Sequence, residues 1–158
     1  MTKEEIKNFS MRISQSNKTQ IVIISYEIII NYIDSAIEDF DKGDERGFVH
    51  NLQKAQQFVN DLTSALDYSC KISYDLLSLY SFANRCLIHS IAGKKKDNLD
   101  SVRNMMDKLR DSFDKISSQD TSGSAMENAD TVYAGLTYGR ESLDEVPAGN
   151  KTKCNFSI

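Results

Sequence analysis

The sequence predicts an all-α fold: an antiparallel four-helix bundle with a short extra N-terminal element and a flexible C-terminal tail. Three observations predict it. Apolar residues recur in four successive stretches at alternating spacings of four and three. Residues three and four apart share one face of an α-helix, so each stretch is a seam that another helix must cover. The single proline, Pro147, lies beyond all four seams, so nothing in the periodic region breaks a backbone ladder. The connections between stretches are short, which sets sequential neighbours antiparallel.

Taken in order, residues 1–17 read as a polar arm carrying isolated apolar side chains: Ile6, Phe9, Met11 and Ile13. The first long helix is expected at about Lys18–Lys42, with a seam of Val22, Tyr26, Ile29, Ile33, Ala36 and Phe40. Its opening run, IVIISYEIII, is rich in isoleucine and taken alone would suit a buried strand. Helical spacing continuing through Ile33, Ala36 and Phe40 decides against that, as does Asn17 with Gln20 three residues later, the spacing of a reciprocal cap. Gly43 stands where a helix ends in the left-handed conformation.

The second helix is expected at about Glu45–Asp67, capped by Asp44, with Phe48, Leu52, Ala55, Val59, Leu62 and Leu66 as its seam. The third runs from about Ser73 to Ala92 and stops at Gly93, with Ile72, Leu76, Leu79, Ala83 and Cys86 as its seam. Asp97 or Asn98 caps the fourth, which ends near Ile116 and carries Leu99, Val102, Met106, Leu109, Phe113 and Ile116. Beyond Ser117 the run SSQDTSGS reads as a linker. Met126–Leu136 suits a short helix, and Gly135, Gly139, Pro147 and Gly149 favour disorder around it. The expected segments are an arm at 1–17, a bundle at 18–117 and a tail at 118–158.

Hydrophobic residues are 40% and charged residues 27% of the chain, a balance that supports a packed core. The net charge of −4 is uneven: residues 1–117 hold 16 basic and 17 acidic side chains, the rest 3 and 6. A near-neutral body argues against nucleic acid, which selects a basic surface, and against an anionic membrane surface. The apolar run Ile21–Ile33 is short for a bilayer and contains Glu27 and Asn31, so no membrane insertion is expected. Cys70, Cys86 and Cys154 form an odd set without paired spacing, which suits a reducing compartment. The N-terminal MTKEEIKNF has charges where a signal peptide needs apolar residues, and the expected location is the cytoplasm.

Neither catalysis nor a bound metal or cofactor is expected. A di-metal bundle needs Glu-x-x-His pairs, but the residues three before His50 and His89 are Gly47 and Cys86. Cys86 and His89 lie one turn apart with no second pair to complete a site. Asp41-Lys42-Gly43-Asp44-Glu45 lacks the spacing and closing glutamate of a calcium loop and reads as an interhelix turn. No phosphate loop or nucleophile elbow appears.

The seams leave apolar residues over. On the first helix Ile21, Ile24 and Ile28 fall outside the stripe, as do Ile23, Ile30 and Ile37; on the second, Val49, Phe58 and Ala65; on the third, Leu77, Tyr80, Leu87 and Ile91. A helix apolar over most of its circumference is either central or covers something else. Two readings stand side by side: grooves for an amphipathic partner, or a permanent cover by the arm or tail.

Several of these residues carry a family resemblance. Leu52-Gln53-Lys54-Ala55-Gln56, then Val59, Asp61-Leu62 and Leu66-Asp67, resembles the L-x-K-A-Q-x-I-I-x-E-L…L motif of the FliS family, the flagellin export chaperones. Tyr26-Glu27 stands where that family has L-Y-E-G, and Leu79-Tyr80, Phe82 and Arg85 resemble its L-Y-x-Y-x-x-x-R/L pattern. Leu109-Arg110-Asp111-Ser112-Phe113 resembles its closing L-R-D-A-W. The likeness runs from about Ile13 to Ile116. Departures are Asn17-Lys18-Thr19-Gln20-Ile21 for the usual T-P-G-E-L, Ile28 for glycine and Phe113 for tryptophan.

The resemblance implies a cytoplasmic chaperone that binds the C-terminal segment of flagellin, prevents premature polymerisation and helps deliver it to the flagellar export gate. A disordered segment that orders on binding needs a large apolar contact, about 2,000 Å² or more. Expected contacts are Ile21, Ile24 and Ile28 on the first helix, Ala55, Gln56 and Phe58 on the second, Leu77 and Tyr80 on the third, and Ile13 in the arm. Ala55, being small, is expected to admit a partner helix closely. The arm (Phe9, Met11, Ile13) or the tail (Val132, Tyr133, Leu136) is a further expected occupant of the groove, displaced by flagellin. The competing reading is a non-catalytic bundle that uses the same grooves for self-association.

Overall fold

In the computed structural model the described residues are 3–118, 120 and 123–125; the expected short helix Met126–Leu136 and most of the tail lie outside them. Five helices and no strand occur among the described residues: α1 (Lys3–Ser14), α2 (Lys18–Asp41), α3 (Glu45–Ser64), α4 (Lys71–Gly93) and α5 (Leu99–Ser117). The four longer helices close a ring in which α2 touches α3 and α5, and α4 touches the other edges of both; α1 lies against α2.

Local chemistry places the first ends as expected. Asn17 Oδ1 accepts from the Gln20 amide at 2.8 Å while Gln20 Oε1 accepts from the Asn17 amide at 3.0 Å, so two orphan donors at the start of α2 are satisfied reciprocally. Gly43 takes φ +75, a conformation that would strain a residue with a Cβ, and reverses the chain after α2. Asp44 Oδ1 then accepts from the Gly47 amide at 3.0 Å and opens α3.

Later ends differ. α3 stops at Ser64, short of Asp67, yet Leu66 remains buried beneath the turn that follows. α4 runs through Gly93, and the left-handed residue is Lys94 at φ 49. Asn98 precedes α5 in a left-handed conformation, and neither it nor Asp97 caps with its side chain. The Asp97 carbonyl accepts instead from the buried Ser90 hydroxyl, which ties the α4–α5 connection to the core. The expected arm is a helix, α1, whose Phe9 and Ile13 pack against the core while Arg12 pairs with Glu27 at 2.6 Å.

Three seams pack as the periodicity requires. Val22, Tyr26, Ile29, Ile33 and Ala36 of α2 are buried, and Phe40 alone emerges at its end, its ring against Phe48. Phe48, Leu52, Ala55, Val59 and Leu62 are buried along α3 and Leu66 just after it. Leu99, Val102, Met106 and Phe113 are buried along α5, whose remaining seam residues Leu109 and Ile116 are only half-buried. The α4 seam is rotated. Its buried residues are Ser73, Leu76, Tyr80, Ala83, Leu87 and Ser90, whereas Ile72 and Leu79 are exposed. Lys71, Asp75, Ser78, Arg85 and His89 form an exposed polar stripe on the opposite side. The apolar remainder spans an arc wide enough for two seams of the same period, between which neighbours select. Here Tyr80 reaches the Tyr26 hydroxyl, and Ser73 and Ser90 each donate to a backbone carbonyl, so the inward polar atoms are satisfied.

By length and composition α2 is long and apolar enough to cross a membrane. Its apolar side chains are instead buried among α1, α3 and α5, including Ile23, Ile24, Ile28 and Ile30, which fall outside the expected stripe. The excess on the first helix therefore belongs to a central helix.

Candidate functional site: the flanks of α4

The fold leaves its uncovered apolar surface mainly on one element. Among the described residues, Tyr74, Leu79, Phe82, Ile88 and Ile72 of α4 are exposed, with Tyr68 just before it. Hydrogen bonding orients the helix. Asn84 Nδ2 donates to Asn60 Oδ1 of α3 at 2.9 Å. Leu77, Asn84, Ile88 and Ile91 recur at helical spacing, so they form the flank of α4 turned to α3. Gln56 of α3 sits one turn before Asn60, on the same side, half-buried. The Asn84 Oδ1 atom is buried without a partner among the described residues, a cost of about 1–3 kcal/mol that a donor in this seam would relieve.

The other flank of α4 carries Ile72, Leu79, Phe82 and Cys86, again at helical spacing, and turns towards α5. On α5, Arg103 faces α2 by pairing with Asp34 at 2.6 Å. Met105, Leu109 and Ile116 fall on the opposite flank and are half-buried. α4 packs closely on α3 and only sparsely on α5, so the two apolar flanks bound an open cleft. Ile72 is 47% exposed, Leu79 37% and Phe82 39%, values that leave these large side chains in water at the cleft wall. Cys86 is half-buried beside them, and burial pushes its thiol pKa up, which disfavours the thiolate.

Beneath both flanks lies a buried hub. The Tyr26 and Tyr80 hydroxyls share a hydrogen bond, and the Tyr26 ring meets Phe113 edge-on at 5.6 Å between centroids. This joins α2, α4 and α5 at one point.

The expected contact residues are not brought together. Ile24, Ile28, Ala55 and Tyr80 are buried in the core. Ile13 of α1 is half-buried against that core, and Phe58 stacks near Tyr32 with centroids 6.1 Å apart. Ile21 lines a separate groove between α2 and α3. Gln56 and Leu77 share the α3–α4 seam. Outside the expected set, Ile72, Leu79, Phe82 and Ile88 are exposed on the flanks of α4. The periodicity had assigned Ile72 and Leu79 to the core, and only the rotation of α4 turns them outward. His50 and His89 are exposed, and no group of three or more potential metal ligands occurs among the described residues.

The sequence matches the family model described as flagellar protein FliS over residues 2–120. The chain belongs to the FliS family. It is therefore one of the flagellar export chaperones, a family that is generally non-enzymatic, and FliS proteins share its helical character. No curated protein matches the sequence.

Proposed function

We propose that this FliS-family chain binds the disordered C-terminal segment of flagellin in the cytoplasm, holding it along the apolar flanks of α4 and so delaying polymerisation until it reaches the export gate. The observation that carries the reading is the exposed row Ile72, Leu79 and Phe82, facing Met105, Leu109 and Ile116 across a sparse interface. A coupled-folding partner needs apolar area to offset its ordering entropy, and monomers rarely leave such a row uncovered without use for it. The neighbouring α3–α4 seam holds the Asn84 side-chain amide oxygen, buried without a partner among the described residues. Gln56 and Leu77 border that seam and are contacts in this proposal. Ile24, Ile28, Ala55 and Tyr80 act from below, as the packed floor.

The test is titration of a peptide comprising the last forty or so residues of a cognate flagellin. Leu79→Ala and Phe82→Ala together are expected to weaken binding roughly 10- to 100-fold, the scale of losing two apolar anchors. The midpoint of thermal unfolding should move little, since both side chains are already substantially exposed. An unchanged affinity with intact fold would remove the α4–α5 cleft from the binding surface. Concentration-dependent dimerisation lost in the same variant, without peptide binding, would favour self-association.

A further inference from the structure

A groove of about 310 Å³ opens between the first turns of α2 and the last turns of α3, walled by Ile21, Val22, Leu62 and Ala65, with Lys18, Ser25 and Asp61 also lining it. The chain leaving α5 returns to this place. The Thr19 hydroxyl donates to Asp120 Oδ2 at 2.6 Å, and the Ala125 amide donates to the Ser16 carbonyl at 2.9 Å. Ser16 and Thr19 are buried, Asp120 is half-buried and Ala125 exposed, so these bonds are sheltered on the α2 side only. Ala125 itself completes the groove wall. The described chain thus ends at the mouth of an apolar groove, with residues 126–158 still to come.

What comes next in the sequence fits that groove. Met126, Ala129, Tyr133 and Leu136 recur at three, four and three, the spacing of one helical face. The geometry points to Met126–Leu136 of this same chain as the occupant of the α2–α3 groove, a further helix whose apolar face covers Ile21, Val22, Leu62 and Ala65. As a helix the segment spans roughly 16 Å, about three turns, enough to run along α2 from Ile21 past Ser25. Tethering at Ala125 makes the contact intramolecular, with an effective concentration on the order of millimolar, so a modest apolar face suffices where a free peptide would not hold. The assignment stands apart from the flagellin reading: the groove lies between α2 and α3, while flagellin is proposed to take the flanks of α4.

The test uses the full chain without flagellin. Nuclear Overhauser effects are expected between the Tyr133 ring or Leu136 methyls and the methyls of Ile21, Val22 or Leu62. The double substitution Tyr133→Asp, Leu136→Asp should shift those three methyl resonances and raise amide exchange in segments 21–25 and 61–65 roughly tenfold or more. Absence of these contacts together with unshifted methyls would overturn the assignment. So would contacts to Ile72, Leu79 or Phe82, which place the segment in the α4–α5 cleft. Contacts seen only between differently labelled chains in a mixed sample would assign the groove to a second copy and overturn it equally.

Discussion

Tyr26 and Tyr80 meet in the core, and their shared hydrogen bond makes each hydroxyl depend on the other. Removing one hydroxyl strands its partner in an apolar surround, at about 1–3 kcal/mol, whereas removing both leaves two rings of nearly unchanged shape. Tyr80→Phe is therefore expected to lower stability in urea unfolding by about that amount, and the Tyr26→Phe, Tyr80→Phe double variant to recover most of it. Burial pushes the Tyr80 phenol up to about 12 and holds Tyr26 well above its ordinary value. The sign follows from proton binding. Between pH of about 10 and 12 an unfolded phenol ionises while these two stay protonated, so the folded state holds more protons and stability falls as pH rises through that window. The double variant should show a shallower alkaline loss in the same measurement.

At the scale of elements, the α2–α3 seam is the most extensive contact between the described helices, and Ala55 of α3 lies fully buried in the core. Smallness there serves the close approach of α3 to its own neighbour. Ala55→Leu inserts a bulky side chain into a filled seam, and the expected result is a stability loss of about 1–3 kcal/mol by chemical denaturation. The sequence alone suggested weakened partner binding with the fold intact, and a variant that keeps its stability would restore that reading. α4 makes the complementary case. Its polar stripe, Lys71, Asp75, Ser78, Arg85 and His89, marks the outside in the sequence, but apolar residues cover the rest of the circumference. The stripe alone therefore does not say which of Ile72, Leu79 and Phe82 stay uncovered beside it.

For the whole molecule, the exposed apolar surface of the described residues lies mainly along α4, and its covering has a thermodynamic signature. If the flagellin segment folds onto α4, association buries on the order of 2,000 Å² and the heat capacity change measured by titration calorimetry should be negative by roughly 0.3 kcal/mol/K or more. A change near zero would mean that the segment remains largely hydrated. Charge contributes little to such an encounter, since the body of the chain is close to neutral.

What this sequence determined by itself is whatever depends on neighbours along the chain. The helical class, the seams of α2, α3 and α5, the Asn17–Gln20 cap and the Gly43 reversal are set by residues within a few positions of one another. The family motif was equally readable, because it is a linear order of side chains. Tertiary structure alone decided which helix is central and where the open cleft lies. Those outcomes rest on pairings such as Tyr26 with Tyr80 and Asn60 with Asn84, made between residues far apart in the chain. Helical periodicity records that a face is apolar, and only packing against specific partners determines whether that face is closed or left for another chain.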